Sequence, residues 1–430
     1  MKVPLKPICS WDIGVLVLNG LLQFGTGYTI PKYVTDYAPI IWLHSDDPFM
    51  PSDILTHVLH TTPYIGFDPL PDPPTLTLDT LSSLNKYARG GKRVYLTSND
   101  RVTAMPDWFL GETPDATGGL HNSTACAVVV VEKTEHDLDA FYFYFYSYNE
   151  GADIEQVLPP LNRLIPEAKP GDHYGNHVGD WEHNMIRFRD GEPTGIYFSQ
   201  HASGEACSWE DEACFSKQDG RPVVFSARGS HANYRQEGSH IHDEALIDVA
   251  DKGRRWDPIK PAYFYKYDPA TDVLIPGHPE THSTDWFHFK GGWGDKKYHD
   301  SDPRQKTVRY FGLKKYQDGP TGPKFKHLVR KGLRPDEPPP TSLLKTLVGI
   351  YMSVYGCCLE GHNPWVVVIF VLLVLAAIIF LLVFGVRMIA SRLKGLFRKR
   401  RRQTEVAESA VPLLDLERVE DETYPSIPQL

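Results

Sequence analysis

The chain has 430 residues, 12% aromatics and a formal net charge of −9. That length holds one large domain or two ordinary ones with ample core, and the negative charge argues against a nucleic-acid partner. The one dense basic run, 387–402, adjoins an apolar segment, which points to a membrane surface instead.

Taken in order, residues 1–27 read as a signal peptide. Lys2 and Lys6 give the positive start, Ile13 to Leu22 is apolar apart from Asn19, and small residues follow at Gly25 and Gly27. Asp12 and the lack of a small-x-small cleavage site leave an uncleaved anchor or a buried strand as alternatives. From 30 to 334 the chain reads as one globular domain. Strands are expected at 127–131, 139–148, 181–188, 195–201, 222–227 and 262–267. Phe and Tyr alternate along 141–146, which suits a strand that buries Phe and lets Tyr hydroxyls reach polar partners. Gly, Pro, Asn and Asp punctuate the intervals, and long helical periodicity is scarce. The predicted fold class is mainly β: an antiparallel β-sandwich with irregular loops.

The chemistry concentrates in His177-Val178-Gly179-Asp180-Trp181-Glu182-His183. Asp180 and Glu182 are two apart, so on a strand their carboxylates share a face, while Trp181 and His183 point to the other. Gly179 is free to adopt positive φ, a bend that would swing His177 towards the carboxylates. His201 ends a predicted strand and His231 follows Gly229 in a turn, so both could reach the same end of a sandwich. His177, Asp180, Glu182, His201 and His231 are thus the candidate ligands of a divalent cation: calcium, magnesium, manganese or zinc. Acid–base catalysis by the same groups, or a polar strand facing solvent, are the alternatives.

Seven blocks carry a family resemblance: YAPIIWLHSDDPFMPSD at 37–53, FYFYFYSYN at 141–149, HVGDWEHNMIRF at 177–188, YFSQHASG at 197–204, GSHANY at 229–234, GGWGDKKYHDSDPRQ at 291–305 and GPTGP at 319–323. Together they resemble the fungal vacuolar protein sorting-associated protein 62 family over most of 33–330. The resemblance implies a part in delivering proteins to the vacuole and supplies no catalytic residues. The 157–171 loop, the membrane anchor and the long tail are departures. His177-x-x-Asp180-Trp181-Glu182 is also similar to the GHRHDWE heptapeptide of necrosis- and ethylene-inducing peptide-like proteins, secreted β-sandwich cytolysins that hold a divalent cation. That similarity puts His177, Asp180 and Glu182 at or beside metal-binding positions, with His201 or His231 as a downstream histidine. Val178 and Gly179 replace the motif's Arg and second His, which argues against toxin-like lipid binding.

Cys207 and Cys214 are close enough for a loop disulfide in an oxidising lumen. Asn122-Ser123-Thr124 is an N-glycosylation sequon. Residues 335–364 read as a juxtamembrane linker. Residues 365–386 hold no charge over 22 positions, enough for one transmembrane helix. Arg387 to Arg402 then place the 387–430 tail in the cytosol and the large domain in the lumen. From 403 the tail is acidic and is expected to be disordered. Leu413-Leu414-Asp415-Leu416-Glu417 resembles a clathrin-box peptide, and Tyr424-Pro425-Ser426-Ile427 a tyrosine sorting signal read by adaptor proteins. The sequence therefore predicts a single-pass membrane protein of the endosomal or vacuolar route. Its luminal domain would bind cargo, glycan or lipid without catalysis. A metal-dependent hydrolase, or a cytolysin-like lipid- or glycan-binding module, is the competing class. No nucleophile motif, phosphate loop or HExxH helix supports the hydrolase.

Overall fold

The alternating 141–146 stretch forms the spine of a seven-stranded sheet. In the computed structural model the strands run in the order Ser203–Ser208, Glu192–Gln200, His177–Arg189, Asp137–Asn149, Cys126–Glu132, Ala262–Asp268 and Val273–Pro276. The structure describes residues 27–153, 171–201, 203–241, 247–308, 313–336, 350–351, 354 and 363–409. The signal segment, nearly all of the 157–171 loop, most of the 335–364 linker and both tail peptides lie outside these residues. The chain divides into two units, Met1–Glu360 and Gly361–Leu430.

In the first unit, period-2 alternation sorts the aromatics onto opposite faces of the central strand. Phe141, Phe143 and Phe145 enter one core with Trp181, Met185, Trp286 and Trp293, reaching Val94 and Leu96 of a three-stranded sheet. Tyr142, Tyr144 and Tyr146 enter a second core with Ile41, Leu43, Val224 and Trp256. Those last four belong to a five-stranded sheet ordered Lys217–Gln218, Arg221–Ser226, Ile40–Leu43 and Arg254–Trp256, with Asn233–Tyr234 paired to Arg221–Ser226. Both faces of the central strand are buried, the tyrosines included. Their hydroxyls find partners inside: Tyr142 Oη donates to the Val34 carbonyl at 2.6 Å and Tyr144 Oη to Asn184 Oδ1 at 2.9 Å. Burying a phenol costs little once its oxygen is bonded.

All six expected strands are present. Most pairings are antiparallel, but two are parallel: Ile40–Leu43 with Arg221–Ser226, and Cys126–Glu132 with Ala262–Asp268. Each joins segments far apart in sequence, so no hairpin signal could announce it.

Among its described residues the second unit forms one helix, Pro364–Ser409. Its 22 uncharged residues span about 33 Å at 1.5 Å per residue, matching a bilayer's hydrocarbon core of about 30 Å. Among the described residues, the 365–402 stretch is long and apolar enough to cross a membrane. The helix runs through the basic segment to Ser409, seven residues into the stretch expected to be disordered. Arg, Lys, Gln, Glu and Ala are good helix formers, and the first proline after the span is Pro412.

Candidate functional site

Register decides where the candidate site forms. Tyr146 lies opposite Asp180 and Tyr144 opposite Glu182, while Phe145 and Phe143 oppose Trp181 and His183. Both carboxylates therefore enter the tyrosine-lined core, and both are buried. Gly179 has φ +68°, and a Cβ there would stand 2.1 Å from the Trp293 carbonyl oxygen. Only glycine fits that bend. It lets His177 fold back so that its Nδ1 lies 2.7 Å from the Gly179 carbonyl. A carbonyl only accepts, so Nδ1 carries the proton and Nε2 keeps a lone pair. Burial holds the His177 pKa below its ordinary value despite the Asp180 charge.

His231 is the hub. It arrives from the Gly229-Ser230-His231 turn, with φ +55°. Its ring lies flat on Tyr146, with centroids 3.7 Å apart and planes 2° from parallel. Nδ1 is 3.0 Å from Asp180 Oδ2, while Nε2 is 3.3 Å from the Phe49 carbonyl and 3.7 Å from Asp47 Oδ2. Acceptors on both sides call for an imidazolium. Burial works against that charge, but the Asp180 hydrogen bond and the Asp47, Asp180 and Glu182 charges raise its pKa above the ordinary value. Reciprocally, Asp180 is held below the usual carboxylate range; burial opposes this, and the His231 hydrogen bond and charge outweigh it.

Glu182 takes the other course. Burial and the Asp180 charge push its carboxyl up to about 7, against the pull of Lys326 and Ser199. Ser199 Oγ donates a short hydrogen bond to it and accepts one from the His183 amide at 3.0 Å. Two buried carboxylates two residues apart are thus reconciled by protons: an imidazolium on one and partial protonation of the other.

His201 joins a neighbouring cluster. Its Nε2 is 2.8 Å from Asp248 Oδ2, an oxygen that also accepts from Tyr234 Oη at 2.8 Å, while Ser230 Oγ donates to Asp248 Oδ1 at 2.9 Å. Partial burial opposes the charge of this histidine, whose side chain is 32% exposed, but Asp248 and the Glu182 and Asp180 charges raise its pKa to about 9.

The structure thus gathers His177, Asp180, Glu182 and His231, and sets His201 against Asp248. Sequence reasoning missed Asp47, Tyr146, Ser199 and Asp248. Asp47 and Ser199 fall inside the family blocks, yet nothing in their spacing says that they converge. As a cation shell the arrangement offers Asp180 and Glu182 oxygens and the His177 Nε2 lone pair, whereas His231 would first have to surrender a proton. Among the described residues no group of three His, Cys, Asp or Glu side chains is already set to hold a metal. Elsewhere in this unit, Cys207 and Cys214 are disulfide-bonded with Cα atoms 6.0 Å apart, and Asn122 is exposed.

Residues 145–331, which include most of these groups, match the family model of vacuolar protein sorting-associated protein 62. Two Saccharomyces cerevisiae proteins are similar over most of the chain. The vacuolar protein sorting-associated protein TDA6 is 34% identical over 334 residues, covering 71% of this chain and 68% of its own. Vacuolar protein sorting-associated protein 62 is 34% identical over 338 residues, covering 71% and 67%. Among solved structures, Necrosis and Ethylene inducing Protein 2, from the agent of cocoa's Witches Broom disease, aligns at 10% identity. Its TM-score is 0.23, with 53% of this chain and 72% of that one covered. NLPPya in complex with glucosamine aligns at 9% identity and a TM-score of 0.22, covering 57% and 85%. Superpositions that loose assign neither fold nor ligand. The identity to the two yeast proteins does carry weight: the chain belongs to the vacuolar protein sorting-associated protein 62 family.

Proposed function

We propose that this chain is a single-pass membrane protein of the vacuolar sorting route. Its large domain faces the lumen and binds a ligand without catalysis, and its tail recruits coat proteins in the cytosol. The observation that carries the reading is 34% identity to two yeast vacuolar sorting proteins over 71% of the chain, in a sequence that also has an apolar span followed by basic residues. The excess of Arg and Lys after residue 386 supports a cytosolic C-terminus. The Cys207–Cys214 bond and exposed Asn122 suit an oxidising, glycosylating compartment. The facing seven- and five-stranded sheets support a sandwich, with the three-stranded sheet covering its outer side. Protease added to sealed microsomes should remove a C-terminal tag and spare the 30–334 domain. Digestion of that domain in intact vesicles would reverse the topology. For the tail, replacing both Leu413 and Tyr424 with Ala should shift the protein to the cell surface through lost clathrin and adaptor contacts; unchanged localisation rejects both peptides.

A second reading, a metal-dependent hydrolase or cytolysin-like module, is favoured by one observation: His177, Asp180 and Glu182 are gathered beside His231. A divalent cation there would offset the carboxylate repulsion now relieved by protons, so binding should weaken as pH falls through the histidine range. Chelator should lower the melting temperature of the purified protein, and Asp180→Asn should abolish the difference. Identical melting curves in metal-loaded and chelator-stripped protein sink the cation.

A further inference from the structure

Away from the buried network, the Thr61–Ile65 strand and its turn meet the GGWGDKKYHDSDPRQ block around an open cleft of about 620 Å³. That volume is within the range of small-molecule sites. Ile65 pairs with Asp68, leaving Gly66 and Phe67 as a two-residue turn that lifts Phe67 to the rim, 41% exposed. The His299 ring lies 4.9 Å from the Phe67 ring, and Lys296 Nζ stands 4.9 Å from the centroid of the same ring.

The carboxylates of the cleft are already engaged. Asp295 accepts from the Ser98 amide at 2.8 Å and from Tyr298 Oη at 2.5 Å, Asp302 is paired with Arg304 at 2.8 Å, and Asp100 accepts from Trp108 Nε1 at 2.8 Å. Arg101 and Lys296 have no acceptor among the described residues. Formal charges across the cleft nearly cancel, so attraction there is local and directional, without a long-range field. Two cations without an acceptor among the described residues nevertheless line the cleft together with an exposed aromatic ring. A bare anion has no use for the ring, and an apolar ligand has no use for the cations.

We propose that this cleft binds a sugar ring bearing an anionic substituent, the ring packed on Phe67 and the anion met by Arg101 and Lys296. This deepens the ligand-binding part of the function proposed above but is separable from it. Lost binding leaves the membrane topology standing, and a reversed topology leaves the cleft chemistry standing. Two sources share the chemistry, a phosphorylated glycan and a phosphoinositol headgroup.

The test is calorimetry on the full-length protein in detergent micelles with glucose 6-phosphate, glucose and inorganic phosphate. Glucose 6-phosphate should bind about tenfold or more tightly than either of the others, since a charge-assisted pair adds to the ring contact. The double variant Arg101→Ala, Lys296→Ala should erase that preference, and Phe67→Ala should weaken binding of both sugars. All three side chains are at the surface or only partly buried, so the fold should survive these changes. Competition by a short-chain phosphatidylinositol phosphate assigns the headgroup source; glucose 6-phosphate binding that resists this competitor assigns the glycan. Equal binding of all three probes, no binding at millimolar concentration, or a preference that persists in the double variant overturns the proposal.

Discussion

The two faces of the central strand are built from one dipeptide pattern and solve opposite problems. On the phenylalanine face, Trp181, Trp286 and Trp293 pack against Phe143 and Phe145, and the few ionisable groups are made to fit an apolar core. His57 bonds to Trp293 O at 2.8 Å and Ser147 Oγ at 3.3 Å, and burial pushes its pKa down to about 4. His183 accepts from Arg330 Nη2 at 2.9 Å, and burial followed by the Arg330 charge holds it well below the ordinary histidine range. The buried Arg330, wedged between Phe141 and Tyr197, is itself lowered to about 10 by burial. On the tyrosine face His201 and His231 are charged and the acids numerous. The lesson is that alternation fixes which face a residue enters, while the partners met there fix its protonation.

The most damaging way to break the comparison is on the apolar side. Trp181→Ala empties a fully buried site among stacked indoles and should cost about 3–5 kcal/mol, read from urea unfolding. A loss below about 1 kcal/mol would mean that this core is not packed as described. Next comes Asp180→Asn, which replaces the carboxylate closest to the His231 imidazolium with a neutral amide. The expected loss is about 1–3 kcal/mol, together with a lower His231 pKa in an NMR titration. An unmoved His231 titration would remove Asp180 from the network.

The pH dependence sharpens the contrast, because Glu182 and His201 on one face titrate in the opposite sense to His57 on the other. Glu182 has a folded pKa of about 7 against an ordinary 4.5, so its contribution is full below 4.5 and is lost as pH rises through 7. His201, raised to about 9 from 6.5, contributes fully below 6.5 and fades as pH rises through 9. His57 runs the other way: its contribution is full above 6.5 and is lost as pH falls through 4. Between 4.5 and 6.5 these three groups offset each other, and from 6.5 to 9 only Glu182 and His201 among them change. The wild type should therefore melt lower at pH 9 than at pH 6.5. Glu182→Gln should gain on the wild type most at pH 8 and lose that advantage near pH 4.5. A pH-independent difference would show that Glu182 does not titrate in this window. The smallest effect belongs to Tyr144→Phe, which removes one buried hydrogen bond to Asn184 and should cost about 1 kcal/mol in the same unfolding assay.

Much of the β framework is legible in sequence because period-2 alternation and turn residues are local signals. Phe141 to Tyr146 and Asp180 to His183 declare their faces by spacing alone. What is not legible is the covering of both faces, since strands such as Ile40–Leu43 and Thr61–Ile65 are short and take their place from distant partners. The same holds for the site. Asp180 and Glu182 announce themselves by spacing, whereas Asp47 is 133 residues from Asp180 in the chain and reaches His231 only through tertiary folding. The position of His201 at a strand end groups it with those carboxylates, but Asp248, on a strand formed much later in the chain, captures its Nε2. Protonation follows from such partners, so no reading of one segment could supply it.

Gly179 bears on how this site can change over time. Any side chain there would run into the Trp293 carbonyl at 2.1 Å, with His57 Cε1 only 3.3 Å away. A single substitution cannot place a side chain at this position, because the backbone carrying Trp293 would have to retreat at the same time. At this point the 177–188 stretch and the 291–305 block are tied to each other sterically. A chain that carried any larger residue here would have to carry a rebuilt loop above it as well.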